Sequence, residues 1–164
     1  MQFHYGLRAR DANTTLNFYT RVLGMRIDET RPNMGISGFW LRAALPGSPP
    51  SVHVFTGEYA RMDPSDANVP TGSGAVHHMS LYCTQYEVVR RKLVEAGLGW
   101  EGGAVPGGKW WVIFVYDPNG VMLELTFDAT VEGGPPPDIS PENVHVPGQP
   151  FQPFDPAKYV AFAN

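Results

Sequence analysis

The chain carries one succession of elements twice, and that repetition constrains its fold more than any single motif does. In the first half a strand-length segment, Gln2 to Ala9, precedes Asp11, an N-cap residue, and a helical stretch in which Leu16, Tyr19 and Leu23 share a face before Gly24 closes it. Short strand patterns follow at "MRIDE", "ISGFWLRA" and "SVHVFT", separated by Pro and Gly. The order then starts again. "AVHHMSLYC" reads as a strand, "TQYE" from Thr84 as a Thr-x-x-Glu capping box, and the next stretch as a helix turning Val89, Leu93 and Ala96 inward and closing at Gly97. Strands recur at "LGWEG", "WWVIFVY" and "VMLELTF", with the turn "DPNG" before the last. Each half is a β-α-β-β-β module, residues 1–56 and 75–127, joined by a Gly-, Pro- and Ser-rich linker at 57–74. The expected class is α+β.

Equivalent positions of the two modules hold metal-capable side chains. His4 and His78 lie in the opening strands, and His53 aligns with Glu124 in the closing ones at nearly the same offset. Neighbouring strand residues point to opposite faces, so only one of His77 and His78 can share a face with a given partner. His4 alternates with Gly6 and Arg8, His78 with Ser80 and Tyr82, and Glu124 with Met122 and Thr126. The opposite faces (Phe3, Tyr5, Leu7 and Ala9; Met79, Leu81 and Cys83; Leu123, Leu125 and Phe127) are apolar enough to lie under a helix. His78 is therefore the inward imidazole. His77 and His145 are read as structural.

Composition narrows the partners. The net charge is −4, and "WWVIFVY" is far too short to span a bilayer, so neither nucleic acid nor membrane is an expected partner. A single cysteine, Cys83, excludes an intrachain disulfide and fits a reducing compartment, and "MQFHYGLRARD" has no export-signal pattern. The expected location is cytoplasmic. Residues 128–164 hold half of the chain's 16 prolines and read as an extended arm, whose Phe151, Phe154, Tyr159 and Phe162 dock on a sheet edge or a second subunit.

The segments "HYGLRARD…NFYTRVLGM" and "HHMSL…DPNGVMLEL" resemble the vicinal oxygen chelate superfamily, which includes glyoxalase I, extradiol dioxygenases and fosfomycin-resistance proteins. The resemblance covers roughly residues 2–127. It implies a domain over 1–127 in which two β-α-β-β-β modules form a cup-shaped mixed sheet around a divalent metal, followed by the Pro-rich C-terminal arm. It further implies His4, His78 and Glu124 as metal ligands, with His53 as a fourth ligand or an acid-base group. Two imidazoles and a carboxylate leave coordination positions for two adjacent substrate oxygens. A homodimer is the expected assembly.

Two chemistries fit that set. In the first, Fe(II) holds a catechol-like small-molecule substrate for extradiol ring cleavage, with His53 moving the proton and Tyr82 donating a hydrogen bond to a bound oxygen. Arg8 would meet a substrate carboxylate and Phe114 would wall the aromatic ring; the plainer alternatives are a solvated arginine and sheet packing. Phe114 stands where those enzymes often carry a tyrosine. In the second, Ni(II), Zn(II), Co(II) or Mn(II) serves a glyoxalase I-type lactoylglutathione lyase. There His53 replaces a carboxylate ligand and Gly57 a glutathione-contacting asparagine, so this reading ranks second. A ligand-binding resistance protein without turnover is the third.

Overall fold

The computed structural model describes residues 4–63, 65 and 68–164; Gln2 and Phe3, expected to start the first strand, lie outside the described residues. The chain divides into two compact units, Met1–Thr71 with Tyr159–Asn164, and Gly72–Lys158.

The first unit comprises β1 (Tyr5–Arg8), α1 (Ala12–Asn17) running into a π-helical turn at Phe18–Val22, β2 (Arg26–Ile27), β3 (Gly38–Arg42) and β4 (Pro50–Phe55). Its sheet has the order β1-β4-β3-β2, with β1 parallel to β4 and the other pairs antiparallel. Alternation decides what is covered: Leu7, Ala9, Leu41, Val52 and Val54 are buried, while Gly6 and Arg8 face outward. Asp11 caps α1 by accepting the Thr14 N–H at 2.6 Å.

The buried stripe of this helix differs from the expected one. Thr15, Phe18, Tyr19 and Val22 are buried, whereas Leu16 and Leu23 are half-exposed. The π turn holds an extra residue, which rotates the following side chains and lets consecutive aromatics both face the core. Within the same unit Tyr159 and Phe162 pack edge-on against Phe18, at centroid distances of 5.9 and 6.1 Å. Asn17 secures them by donating its side-chain amide to the Phe162 carbonyl at 2.7 Å.

The second unit repeats the order with β5 (Met79–Cys83), α2 (Tyr86–Glu95), β6 (Trp100–Ala104), β7 (Trp110–Tyr116), β8 (Met122–Asp128) and a single turn, α3 (Ala129–Glu132). Its sheet is β5-β8-β7-β6, again with the first pair parallel. Leu123, Leu125 and Phe127 are fully buried beside Ile113, Val115 and the Leu93 of α2. The "DPNG" turn is fixed by buried Asp117, whose carboxylate accepts the N–H groups of Asn119 and Val121, while Gly120 takes the left-handed conformation at φ 79°.

The expected Thr84 capping box is not what starts α2. Gln85 is the N-cap, in a left-handed conformation and with no side-chain cap of its own, and the carboxylate of Glu132 accepts the free N–H groups of Gln85 and Tyr86. Glu87 is instead paired with Arg90. A charged acceptor delivered from α3 satisfies two orphan amides at once.

Beyond α3 the chain follows the open edge of this sheet. Val144 bridges Gly102 in parallel, His145 donates its backbone N–H to the Gly102 carbonyl at 2.8 Å, and Asn143 reaches the Trp100 carbonyl at 2.7 Å. Edge carbonyls of β6 thus gain donors instead of standing open. Phe151 and Phe154 then pack on Tyr116. Among the described residues no helix is long and apolar enough to cross a membrane.

Candidate metal and substrate site

In the first unit the sheet register builds a three-ring stack. Gly6 and Trp40 are the partners of His53 on β1 and β3. The His53 ring lies between His4, at 3.9 Å and 15°, and Trp40, at 4.3 Å and 12°. Its Nε2 is buried without a hydrogen-bond partner. Burial pushes the His53 pKa down, the His4 and Arg31 charges push the same way, and Asp28 opposes them. A neutral imidazole with a free lone pair is what a cation or a transferable proton requires. Arg8, exposed at the end of β1, is on the same face.

The second unit supplies the other pair. His78 immediately precedes β5, and its Nε2 is 3.1 Å from Oε2 of Glu124 on β8. His77, exposed, meets the far side of the ring, its Nδ1 2.8 Å from the Nδ1 of His78. Donors bound to one cation at about 2.1 Å and near-right or tetrahedral angles stand about 3.0–3.4 Å apart, so the His78–Glu124 spacing suits a shared divalent ion. His4 and His53 meet within the first unit and His78 and Glu124 within the second; among the described residues no three His, Cys, Asp or Glu side chains are gathered as a cation site.

The register extends the Glu124 face across the second sheet. Ser80 and Phe114 flank Glu124, and Glu101 flanks Phe114. Phe114 is buried, its ring T-shaped to that of His78 at 5.8 Å and tilted against that of His145 at 4.2 Å. Tyr82 lies farther along β5 opposite Thr126, 79% exposed, and leans on Trp110 at 5.7 Å.

His145, read from sequence as structural, pairs with a carboxylate of β6. Its Nδ1 is 3.0 Å from Oε2 of Glu101, and both side chains are only 20% exposed. "ENVHVPG" lies in the Pro-rich segment read as an extended arm, where no strand period assigns His145 a face, and Glu101 lies in the strand segment "LGWEG" with no feature that singles it out.

Residues 2–125 match the sequence pattern of the Glyoxalase/Bleomycin resistance protein/Dioxygenase superfamily. "Glyoxylase I 4" of Arabidopsis thaliana is 28% identical over 125 residues, which is 74% of this chain and 67% of that protein. The lactoylglutathione lyase structure from Agrobacterium tumefaciens superposes with a TM-score of 0.52 at 16% identity, over 77% of this chain and 92% of the other. The fosfomycin resistance protein FosX from Listeria monocytogenes gives 0.54 at 12% identity, over 77% and 92%. At such identities the structural likeness is one of fold. Together with the two repeated four-stranded sheets, the match over most of its length shows that this chain belongs to the Glyoxalase/Bleomycin resistance protein/Dioxygenase superfamily.

Proposed function

We propose that the chain is a divalent-metal-dependent enzyme acting on a small substrate that chelates the metal through adjacent oxygens, first of all an Fe(II) extradiol dioxygenase of a catechol-like compound. The observation that carries this reading is the His78–Glu124 pair, an imidazole and a carboxylate 3.1 Å apart on one half-buried face. His4 is the third ligand in this proposal. The bound metal would acidify the substrate hydroxyls and hold both oxygens in place.

The remaining work falls to the chain's own side chains. His53, with its orphaned Nε2, takes or returns the substrate proton or adds a fourth donor. Phe114 keeps His78 from swinging away from Glu124 by filling the space beneath it. Arg8 meets a substrate carboxylate, and Tyr82 donates its hydroxyl at the rim.

A second reading has support of its own: the 28%-identical relative carries the name "Glyoxylase I 4". A lactoylglutathione lyase would use the same donors but needs a base near the enediolate, and position 53 offers an imidazole where a carboxylate would serve. In both readings the protein acts in the cytoplasm, as a homodimer.

Protein purified without oxygen should carry iron and consume oxygen with a panel of catechols. Glu124→Ala should lose the metal while remaining folded. Nickel or zinc content, with isomerisation of methylglyoxal plus glutathione and no oxygen uptake, would replace the first reading by the second. Full metal occupancy in Glu124→Ala would remove both.

A further inference from the structure

We propose that His145 and Glu101 form a polar subsite that reads a hydroxyl group on the part of the substrate remote from its chelating oxygens. The inference rests on the chelate reading above and adds a specificity determinant to it.

Three observations carry it. First, the His145 ring lies on the face that holds His78 and Glu124: it contacts both Glu101 and Phe114, which are register partners, and Phe114 is in turn the partner of Glu124. Second, both imidazoles contact the same phenyl ring, His78 in a T-shaped arrangement at 5.8 Å and His145 tilted against it at 4.2 Å. A ring-sized molecule with vicinal oxygens at the His78–Glu124 end therefore presents its opposite substituent to His145. Third, the 143–145 segment is already fastened to β6 through the His145 N–H and the Asn143 amide, so anchoring the chain does not require the imidazole–carboxylate pair.

The chemistry selects the ligand group. Glu101 engages Nδ1, which fixes the ring orientation and leaves Nε2 as the nitrogen available to a bound molecule. A hydroxyl can donate to Nε2 of the neutral ring or accept from it when protonated, so it suits either state. A carboxylate would meet the charges of Glu101 and Glu124, and an alkyl group would offer Nε2 no hydrogen bond.

The test uses the full-length protein loaded with zinc, which is redox-silent, and calorimetric titration with two probes that differ by one hydroxyl, 4-methylcatechol and 3,4-dihydroxybenzyl alcohol. The wild-type protein should bind the alcohol roughly tenfold more tightly, the scale of one good hydrogen bond. His145→Phe and Glu101→Gln should bring that ratio near one and leave 4-methylcatechol affinity within about twofold, because neither residue contacts the chelating end. Glu101→Gln preserves side-chain shape and decides the matter if His145→Phe does not fold. A wild-type ratio near one, or an unchanged ratio in the variants, overturns the subsite alone. Failure of the zinc-loaded protein to bind either probe overturns the catechol reading, and the subsite with it.

Discussion

Glu132 accepts the backbone N–H of Tyr86 at 2.8 Å and that of Gln85 at 2.7 Å, so the start of α2 is held by a residue of the turn that follows β8. Removing this acceptor leaves two amides unpaired at a helix terminus. Glu132→Ala should cost about 1–2 kcal/mol in urea unfolding, whereas Thr84→Ala should be nearly neutral. Equal losses in the two variants would restore the capping box.

Cys83 is a protected thiol. Burial, reinforced by the nearby Glu132 carboxylate, pushes its pKa up to about 12, so the nucleophilic thiolate is scarce at neutral pH. Iodoacetamide at pH 8 should label the native protein roughly a hundredfold more slowly than the urea-unfolded chain. Comparable rates would mean that β5 opens freely at its end.

Gly38 is required where β3 meets β4. It sits at φ 147°, and a Cβ there would overlap the Val54 carbonyl oxygen. Gly38→Ala must push β3 away from the strand that carries His53, at a cost of about 2 kcal/mol or more. Because Trp40 and His53 are register partners, the same variant should lose the ring stack. A chemical shift of His53 unchanged from wild type would argue against this.

The last residues of the chain form part of the first unit's core. Tyr159 and Phe162 are buried against Phe18. Phe162→Ala should lower stability by about 3 kcal/mol, and removing residues 156–164 should lower it further. Unfolding midpoints unaffected by either change would show that these rings contribute no packing.

Asp11 gives the first helix an acid-sensitive start. The Thr14 backbone N–H and hydroxyl hold its carboxyl below the usual pKa of 3.8. A depressed folded-state pKa means that its contribution is present above that value and disappears as pH falls through the lowered one. Asp11→Asn keeps an effective cap without the charge. It should match wild-type stability closely at pH 7 and lose less between pH 5 and pH 2; parallel acid profiles would refute this assignment.

Much of the architecture was legible because strand patterns and punctuation are local. The repeat, the eight strands among the described residues and the glycine stops at Gly24 and Gly97, both in the left-handed conformation, follow from residues a few positions apart. Alternation also picked His78 over His77 as the inward imidazole, since facing is fixed by a period of two; its contact with Glu124 is seen only in the structure. The helix stripe was misread because a π turn changes the period without a sequence sign, and the cap of α2 because its acceptor comes from a distant turn.

The sequence by itself determined the two modules, the family and the faces on which His4, His78 and Glu124 stand, because these depend on local periodicity and on motif order. Only the tertiary structure decided that His53 is sandwiched between two rings, that Glu132 starts α2, and that His145 joins Glu101 beside Phe114. The physical reason is the same in each case: these contacts bring together side chains far apart in the chain, and their energy depends on register and packing that no local pattern encodes.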